Sequence, residues 1–167
     1  VNIALSIGMK VIVYDPFANE ETVNKACALY ETSLDNFLKT LDYLSIHIPK
    51  TSDTINIINK ENINKMKKGA IIINCSRGGL VNENDLKDAL ENGQISAAAI
   101  DVYENEPKIE TCPLINYNGN NIILTPHLGA STKEAQINVA LDVASQIKKV
   151  LSGGYTDSAV NIPSLNP

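Results

Sequence analysis

The sequence has little that would cross-link the chain, hold a metal ion or bind nucleic acid. Its three cysteines, Cys27, Cys75 and Cys112, are odd in number and widely spaced, which excludes a disulfide framework and the paired-cysteine pattern of zinc sites. The net charge is -5 and no basic stripe runs along the chain, which argues against a nucleic-acid-binding surface. We therefore expect no metal, no nucleic-acid partner and a reducing compartment, the cytoplasm.

Long apolar runs are also absent, so the sequence predicts no membrane partner. No run approaches the roughly 20 residues that cross a bilayer. The apolar start, residues 1–13, lacks the basic segment and the cleavage site of a signal peptide. With 44% hydrophobic and 20% charged residues, a chain of 167 residues suits one folded domain with a sizeable core.

Apolar runs typical of buried strands alternate with helical patterns along the chain. The predicted strands are residues 10–14, 43–48, 70–74, 95–102 and 121–125, with a weaker extended piece at 29–30. The predicted helices are residues 20–28, 34–41, 59–66, 82–92 and a long final helix after a capping box at 131–134. This alternation predicts an α/β fold, a doubly wound parallel sheet, in residues 1–153, followed by an irregular tail at 154–167.

Ligands bind beyond the carboxyl ends of the strands in such sheets, so the residue after each strand is a candidate. Asp15 follows the first strand and could accept hydrogen bonds from an adenosine ribose, which favours NAD over NADP. As part of an Asp-Pro pair it is equally typical of a turn. His47 lies at the end of the next long strand, and a lone histidine without a metal or nucleophile partner is more often structural.

The third long run is followed by Arg77 and two glycines. A guanidinium has a planar fork that can bind a carboxylate bidentately, and the glycines let the backbone turn sharply. The alternative is a surface arginine in a loop.

An acidic cluster that includes Asp101 and Glu106 follows the next strand, and His127 follows the last. A carboxylate beside a histidine raises the pKa of the imidazole ring. Such a histidine is suited to give a proton to a carbonyl oxygen as hydride arrives, and to take a proton back in the reverse reaction. We expect Arg77, Glu106 and His127 to converge on one crevice; the alternative is three unrelated loop residues.

Three stretches together resemble the D-isomer-specific 2-hydroxyacid dehydrogenase family. They are residues 47–51 with Thr54, residues 74–81 with 84–86, and residues 101–107 with 125–132. The resemblance extends from residue 1 to about 153. It implies a Rossmann-like NAD-binding domain, NAD as cofactor, a small 2-hydroxy or 2-keto acid as substrate, and a homodimer.

The resemblance also implies a role for each matching residue. Arg77 would hold the substrate's carboxylate and carbonyl, His127 would be the general acid/base, and Glu106 would keep His127 protonated. Asp101 would contact the nicotinamide carboxamide, and Asp15 the adenosine ribose. Further cofactor contacts are implied for Tyr14, Pro16, His47, Ile48, Pro49, Thr54, Cys75, Ser76, Arg77, His127, Gly129 and Ala130.

The sequence departs from the family pattern at its start. The Gly-x-Gly-x-x-Gly turn is absent, since the only early glycine is Gly8, and the family's central first strand has no counterpart. We expect the parent protein to supply both before Val1, and the 167-residue chain alone to bind NAD poorly and to be inactive. Two alternatives stay open: another substrate, such as glyoxylate, hydroxypyruvate or D-lactate, or a non-catalytic dinucleotide-sensing scaffold of the corepressor type.

Overall fold

Strands and helices alternate along the chain in the computed structural model. The strands are β1 (Ile12–Val13), β2 (Leu29–Tyr30), β3 (Tyr43–Ile46), β4 (Ala70–Asn74), β5 (Ile95–Ile100) and β6 (Ile122–Leu124). The helices are α1 (Asn2–Ser6), α2 (Glu20–Lys25), α3 (Leu34–Thr40), α4 (Lys60–Lys65), α5 (Glu83–Glu91) and α6 (Lys133–Leu151), with a short 3-10 helix at Ile109–Thr111. The structure describes residues 1–129, 131–156 and 158–159. It divides into two units, Val1–Pro126 and His127–Pro167, and each is described by itself.

All strand pairs in the first unit are parallel, which confirms the predicted sheet type. β1 pairs with β2, and β3, β4, β5 and β6 form a four-stranded sheet in that order. The register of the larger sheet runs from Leu44 through Ile72 and Ala98 to Ile122. Within the described residues β1 pairs only with β2 and β3 only with β4, so both are edge strands, as expected where the family's central strand has no counterpart.

The core lies on the four-stranded sheet. Seven apolar side chains are at most 1% exposed, and they come from helices, strands and loops: Leu38, Ile63, Ile72, Leu80, Leu86, Ile95 and Leu114. Burial of a leucine or isoleucine side chain contributes about 1.5–3 kcal/mol, so this cluster dominates the stability of the unit. The alanines of β5 have small side chains and therefore allow close packing, and Ala98 is buried.

Most element boundaries follow from capping residues that the sequence shows. Asn59 and Asn82 accept the N–H of the residue three positions later, and α4 and α5 begin directly after them. The strands predicted at 10–14, 43–48, 95–102 and 121–125 are all shorter in the structure, and two helix predictions need correction. The helix predicted at 20–28 ends at Lys25, because Cys27 takes a left-handed conformation with φ 57°. The capping box is wrong by one residue, since Thr132 rather than Ser131 caps α6.

The segment between β5 and β6 is more ordered than the sequence pattern indicates. It contains the 3-10 helix and buries Tyr103, Cys112 and Leu114. Its apolar residues follow neither a helical nor a strand period, so periodicity could not reveal it.

The second unit consists mainly of α6, which ends at Leu151 and is followed by Gly153 with φ 78°. Its large apolar side chains are 43–82% exposed: Ile137, Val139, Leu141, Val143, Ile147, Val150 and Leu151. A shallow apolar groove of about 290 Å³ runs along it. Across the described residues, no helix has the length and apolar character needed to cross a membrane. The predicted domain boundary at residue 153 stays a prediction.

Candidate functional site

The four strands of the larger sheet end at one common edge. The first residues beyond these strands are His47 after β3, Cys75 after β4, Asp101 after β5 and Thr125 after β6. Because all four strands are parallel, these residues share the carboxyl edge of the sheet, where open α/β sheets bind their ligands. We call this set of loops the carboxyl edge.

The loop after β3 is held by its own hydroxyl groups. The Thr54 hydroxyl donates to the Pro49 carbonyl at 2.8 Å and accepts the Thr51 N–H at 2.7 Å. His47 is exposed, and its Nε2 lies 2.8 Å from the Ser45 hydroxyl. Thr54 thus shapes the predicted cofactor-facing segment, while Ile48 is half-buried beside the core and Pro49 is exposed.

Asn74 fixes the turn that carries Arg77. It is only 2% exposed. Its side-chain amide donates to the Arg77 carbonyl at 3.0 Å, and its oxygen accepts the N–H and the hydroxyl of Ser76 at 3.2 and 3.0 Å. The sequence analysis did not single out Asn74, although a polar residue ending a run of isoleucines is a signal for such a role.

Arg77 lies exposed on this turn, as does the free thiol of Cys75. The Arg77 Nη1 donates to the Ser76 carbonyl at 2.7 Å. A guanidinium carries five N–H donors, so this contact orients the side chain and uses one of them. The arrangement suits a group that holds an anion at the carboxyl edge.

Gly78 brings the arginine loop against the acidic loop. A Cβ at this position would lie 1.8 Å from the carbonyl oxygen of Tyr103, far inside van der Waals contact. The backbone at Gly78 therefore packs directly on the backbone at Tyr103. The structure brings together the loops that carry Arg77 and Glu106.

Tyr103 and Asp101 tie the acidic loop to β6. Asp101, 6% exposed, accepts the Thr125 hydroxyl, and the Tyr103 hydroxyl donates to the Thr125 carbonyl at 2.8 Å. Burial raises the pKa of Tyr103, so its hydroxyl stays protonated as a donor. Glu106 is exposed, and its Oε1 accepts the Tyr103 N–H at 2.7 Å. The sequence analysis missed Tyr103 and Thr125 because their partners are distant in sequence.

Asp15 follows β1 in the smaller sheet. Its Oδ1 accepts the Phe17 N–H at 2.8 Å, and the Tyr30 hydroxyl donates to its carbonyl at 3.0 Å. The turn interpretation is thus confirmed. It does not exclude ribose binding, because an ionised carboxylate has about four acceptor sites. Tyr14 is half-buried with its ring against Phe37, and Pro16 is exposed.

His127 and Gly129 belong to the second unit and are both exposed. His127 has φ 56°, a left-handed conformation that is uncommon for residues other than glycine and that clusters at functional sites. The predicted cofactor contact Ala130 lies outside the described residues. The convergence of His127 with Arg77 and Glu106 stays a prediction, since His127 belongs to the second unit and the other two residues to the first.

Residues 1–129 match the family model of the D-isomer specific 2-hydroxyacid dehydrogenase, NAD binding domain. The chain belongs to this family. The D-3-phosphoglycerate dehydrogenase of Synechocystis sp. is 50% identical over 166 residues, which cover 99% of this chain and 29% of that protein. The chain therefore spans less than a third of the length of this relative.

Solved structures of family members share the fold. The D-isomer specific 2-hydroxyacid dehydrogenase of Lactobacillus delbrueckii ssp. bulgaricus, in an NAD complexed form, has a TM-score of 0.82 at 30% identity and covers 96% of this chain and 51% of its own. A glyoxylate reductase from Paecilomyes thermophila has a TM-score of 0.77 at 31% identity, with 93% and 46% covered. The α/β fold with a parallel sheet is therefore that of the family's NAD-binding domain.

The residues of this family member fit part of a dinucleotide. Asp15 offers a half-buried carboxylate beyond β1, and the carboxyl edge offers the buried Asp101 with Thr125 and Ser76. The glycine-rich turn that cradles a pyrophosphate has no counterpart among the 167 residues. The chain thus holds groups suited to the ribose and nicotinamide ends, and lacks those for the pyrophosphate.

Proposed function

We propose that the intact protein is an NAD-dependent oxidoreductase that interconverts a D-2-hydroxy acid and its 2-keto acid, with 3-phosphoglycerate as the substrate. The observation that most supports this activity is the direct packing of the Arg77 loop on the Glu106 loop at the carboxyl edge. Both loops belong to a chain of the NAD-binding family. Bound NAD supplies the hydride acceptor, or in reverse the donor, and the protein orients the reactants.

Three side chains carry the proposed chemistry. Arg77 binds the substrate carboxylate through its planar fork. His127 takes the hydroxyl proton during oxidation and returns a proton to the carbonyl oxygen during reduction. Glu106 lies beside His127 in this proposal and favours the imidazolium form. Asp15, Asp101 and the residues around them hold the cofactor, and Asp15 selects against a 2′-phosphate.

The phosphorylated substrate is proposed from the similarity to the Synechocystis protein, which carries the name D-3-phosphoglycerate dehydrogenase. Glyoxylate, hydroxypyruvate and D-lactate are the competing substrates, since a glyoxylate reductase is among the similar structures. A homodimer and a cytoplasmic location are further proposals that rest on the resemblance and the composition. Light scattering on the intact protein tests the dimer.

The activity is tested with the intact protein by following NADH consumption with 3-phosphohydroxypyruvate, hydroxypyruvate, glyoxylate and pyruvate. We expect kcat/KM for the phosphorylated substrate to exceed the others by about 100-fold or more, because a site that pairs with a polar group rejects analogues lacking it. His127→Gln should lower kcat by about 100- to 10,000-fold, the contribution of a positioned general acid/base, with little change in NADH affinity.

Glu106→Gln should also lower kcat, and Glu110→Gln is the matched control, since Glu110 is an exposed acid four residues further along the same segment. Unchanged turnover in His127→Gln contradicts the proposed role of His127. Binding of NADH without reduction of any keto acid favours the dinucleotide-sensing scaffold instead.

A further inference from the structure

Helix α5 begins with a buried acid that the proposed chemistry does not use. Glu83 is the first residue of α5 and is 7% exposed. Glutamates are almost never buried unless their oxygens are paired, because burying an unpartnered carboxylate costs several kcal/mol of stability. Another acid of the same helix, Glu91, has a side chain that is 53% exposed. A buried carboxylate at this place therefore needs specific partners.

The partners of Glu83 come from the segment after β5. Its Oε1 accepts the N–H of Glu104 at 2.8 Å. Burial, the larger cause, and the Glu83 carboxylate both raise the pKa of the Cys112 thiol. The N-terminus of α5 adds the positive end of the helix dipole, which favours a negative charge there. Glu83 thus joins the start of α5 to the backbone of the loop after β5.

A short path of contacts leads from Glu83 to Glu106. The N–H of Glu104 is held by Glu83, and the N–H of the preceding residue, Tyr103, is held by the Glu106 carboxylate at 2.7 Å. Two adjacent backbone N–H groups are therefore bound by two carboxylates, one buried and one exposed. When Glu83 fixes the Glu104 backbone, it also fixes the donor that orients Glu106.

We propose that Glu83 is a positioning residue that holds the backbone of residues 101–107 and thereby places Glu106 for its role beside the substrate. This inference rests on the proposed function for the role of Glu106, and on the described contacts alone for the placement of the loop. A purely structural view, in which Glu83 only stabilises the start of α5, makes different predictions for the same variants.

The placement is tested by hydrogen–deuterium exchange with mass spectrometry on overlapping peptides of the intact protein that span residues 102–107. In the wild type the Glu104 amide should be protected although its side chain is exposed. Glu83→Ala should speed its exchange by about tenfold or more, the factor expected from losing a hydrogen bond to a charged acceptor. Glu83→Gln keeps a carbonyl acceptor and should stay within about threefold of the wild type. Glu91→Ala, on the same helix, is the control and should change nothing there.

The consequence for Glu106 is tested by kinetics of the same variants. Glu83→Ala should lower kcat with little change in NADH affinity. It should also move the alkaline limb of the pH profile for keto-acid reduction to lower pH by about one unit, because a displaced carboxylate no longer supports the imidazolium. In Glu83→Gln, both kcat and the pH profile should stay close to those of the wild type. If Glu83→Ala changes only the thermal stability, the purely structural view is supported and the proposal is overturned.

The two proposals fail in distinguishable ways. If the intact protein reduces no keto acid, the proposed function is wrong, while the exchange of the Glu104 amide still tests the placement. If turnover is normal and the Glu104 amide exchanges freely in the wild type, the positioning role is wrong and the function stands. The wild-type measurement decides the placement even if Glu83→Ala does not fold.

Discussion

Cys112 shows how the environment sets the chemistry of a single residue. It is 3% exposed, and burial, followed by the influence of the Glu83 carboxylate, raises the pKa of the thiol from 9.0 to about 12. Because the folded pKa lies above the unfolded value, this thiol contributes stability below pH 9.0, and the contribution is lost as the pH rises toward about 12. Cys112 therefore acts as a hydrogen-bonded part of the core rather than as a reactive thiol.

A labelling experiment tests this view of Cys112. When the intact protein without NAD is treated with iodoacetamide at about pH 9, Cys112 should be alkylated at least about 100-fold more slowly than an exposed cysteine, because the thiolate is the reactive form. Cys27 and Cys75 are exposed and serve as internal controls. Mass spectrometry of the digested protein gives the three rates, and equal labelling of Cys112 in the folded protein contradicts the prediction.

Candidate ligand contacts could be proposed from the sequence more readily than the residues that support them. Arg77 and Asp101 were recognisable because each lies beyond the end of an apolar run. Asn74, Glu83 and Tyr103 were not, since their partners are set by loops that meet only in the fold. In the sequence, Glu83 resembles any acidic residue in the first turn of a helix, where the helix dipole favours a negative charge.

At the scale of elements, long regular segments were predictable and short ones were not. β4 has the predicted bounds, and α5 has the predicted caps, because both combine a clear period with a polar end residue. β1 is only two residues long although five were predicted, since β2 is its only partner in the described residues. The length of a strand depends here on the adjacent strands of the sheet, which cannot be inferred from the sequence of that strand alone.

The contact between two loops at Gly78 leads to a prediction about turnover. Gly78→Ala adds a Cβ that cannot fit against the Tyr103 carbonyl, so the loops of Arg77 and Glu106 must move apart. A displacement of about 1 Å in a positioned group can cost on the order of 100-fold in rate. We therefore expect kcat of the intact protein to fall by about that factor, measured in the NADH assay.

Gly8→Ala is the matched control. Gly8 has φ +83° and no atom within 4 Å of an added Cβ, so this substitution costs only backbone strain. That strain is about 1–2 kcal/mol for a left-handed residue and should lower the melting temperature without changing kcat. Equal kcat in Gly78→Ala and Gly8→Ala would show that the packing of the two loops does not matter for turnover.

At the scale of the whole molecule, the 167-residue chain exposes surfaces that proteins normally cover. The seven large apolar side chains of α6 are 43–82% exposed, and β1 and β3 are edge strands. Contiguous apolar patches and unpaired strand edges both favour association between molecules. The net charge of -5 opposes association, but screening in ordinary salt confines that repulsion to about 10 Å.

We therefore expect the chain expressed alone to self-associate and to bind a hydrophobic dye such as ANS, in a manner that depends on α6. Light scattering after size-exclusion chromatography gives the mass, and dye fluorescence reports the exposed apolar surface. Ile147→Lys places a charge in the apolar groove of α6 and should reduce both signals, whereas Lys149→Arg, on the same helix, keeps the charge and should change neither. A persistent association in Ile147→Lys points to the edges of β1 and β3, which Tyr43→Lys then tests on β3. A monomer that binds no dye means that the exposed side chains of α6 are covered within the chain itself.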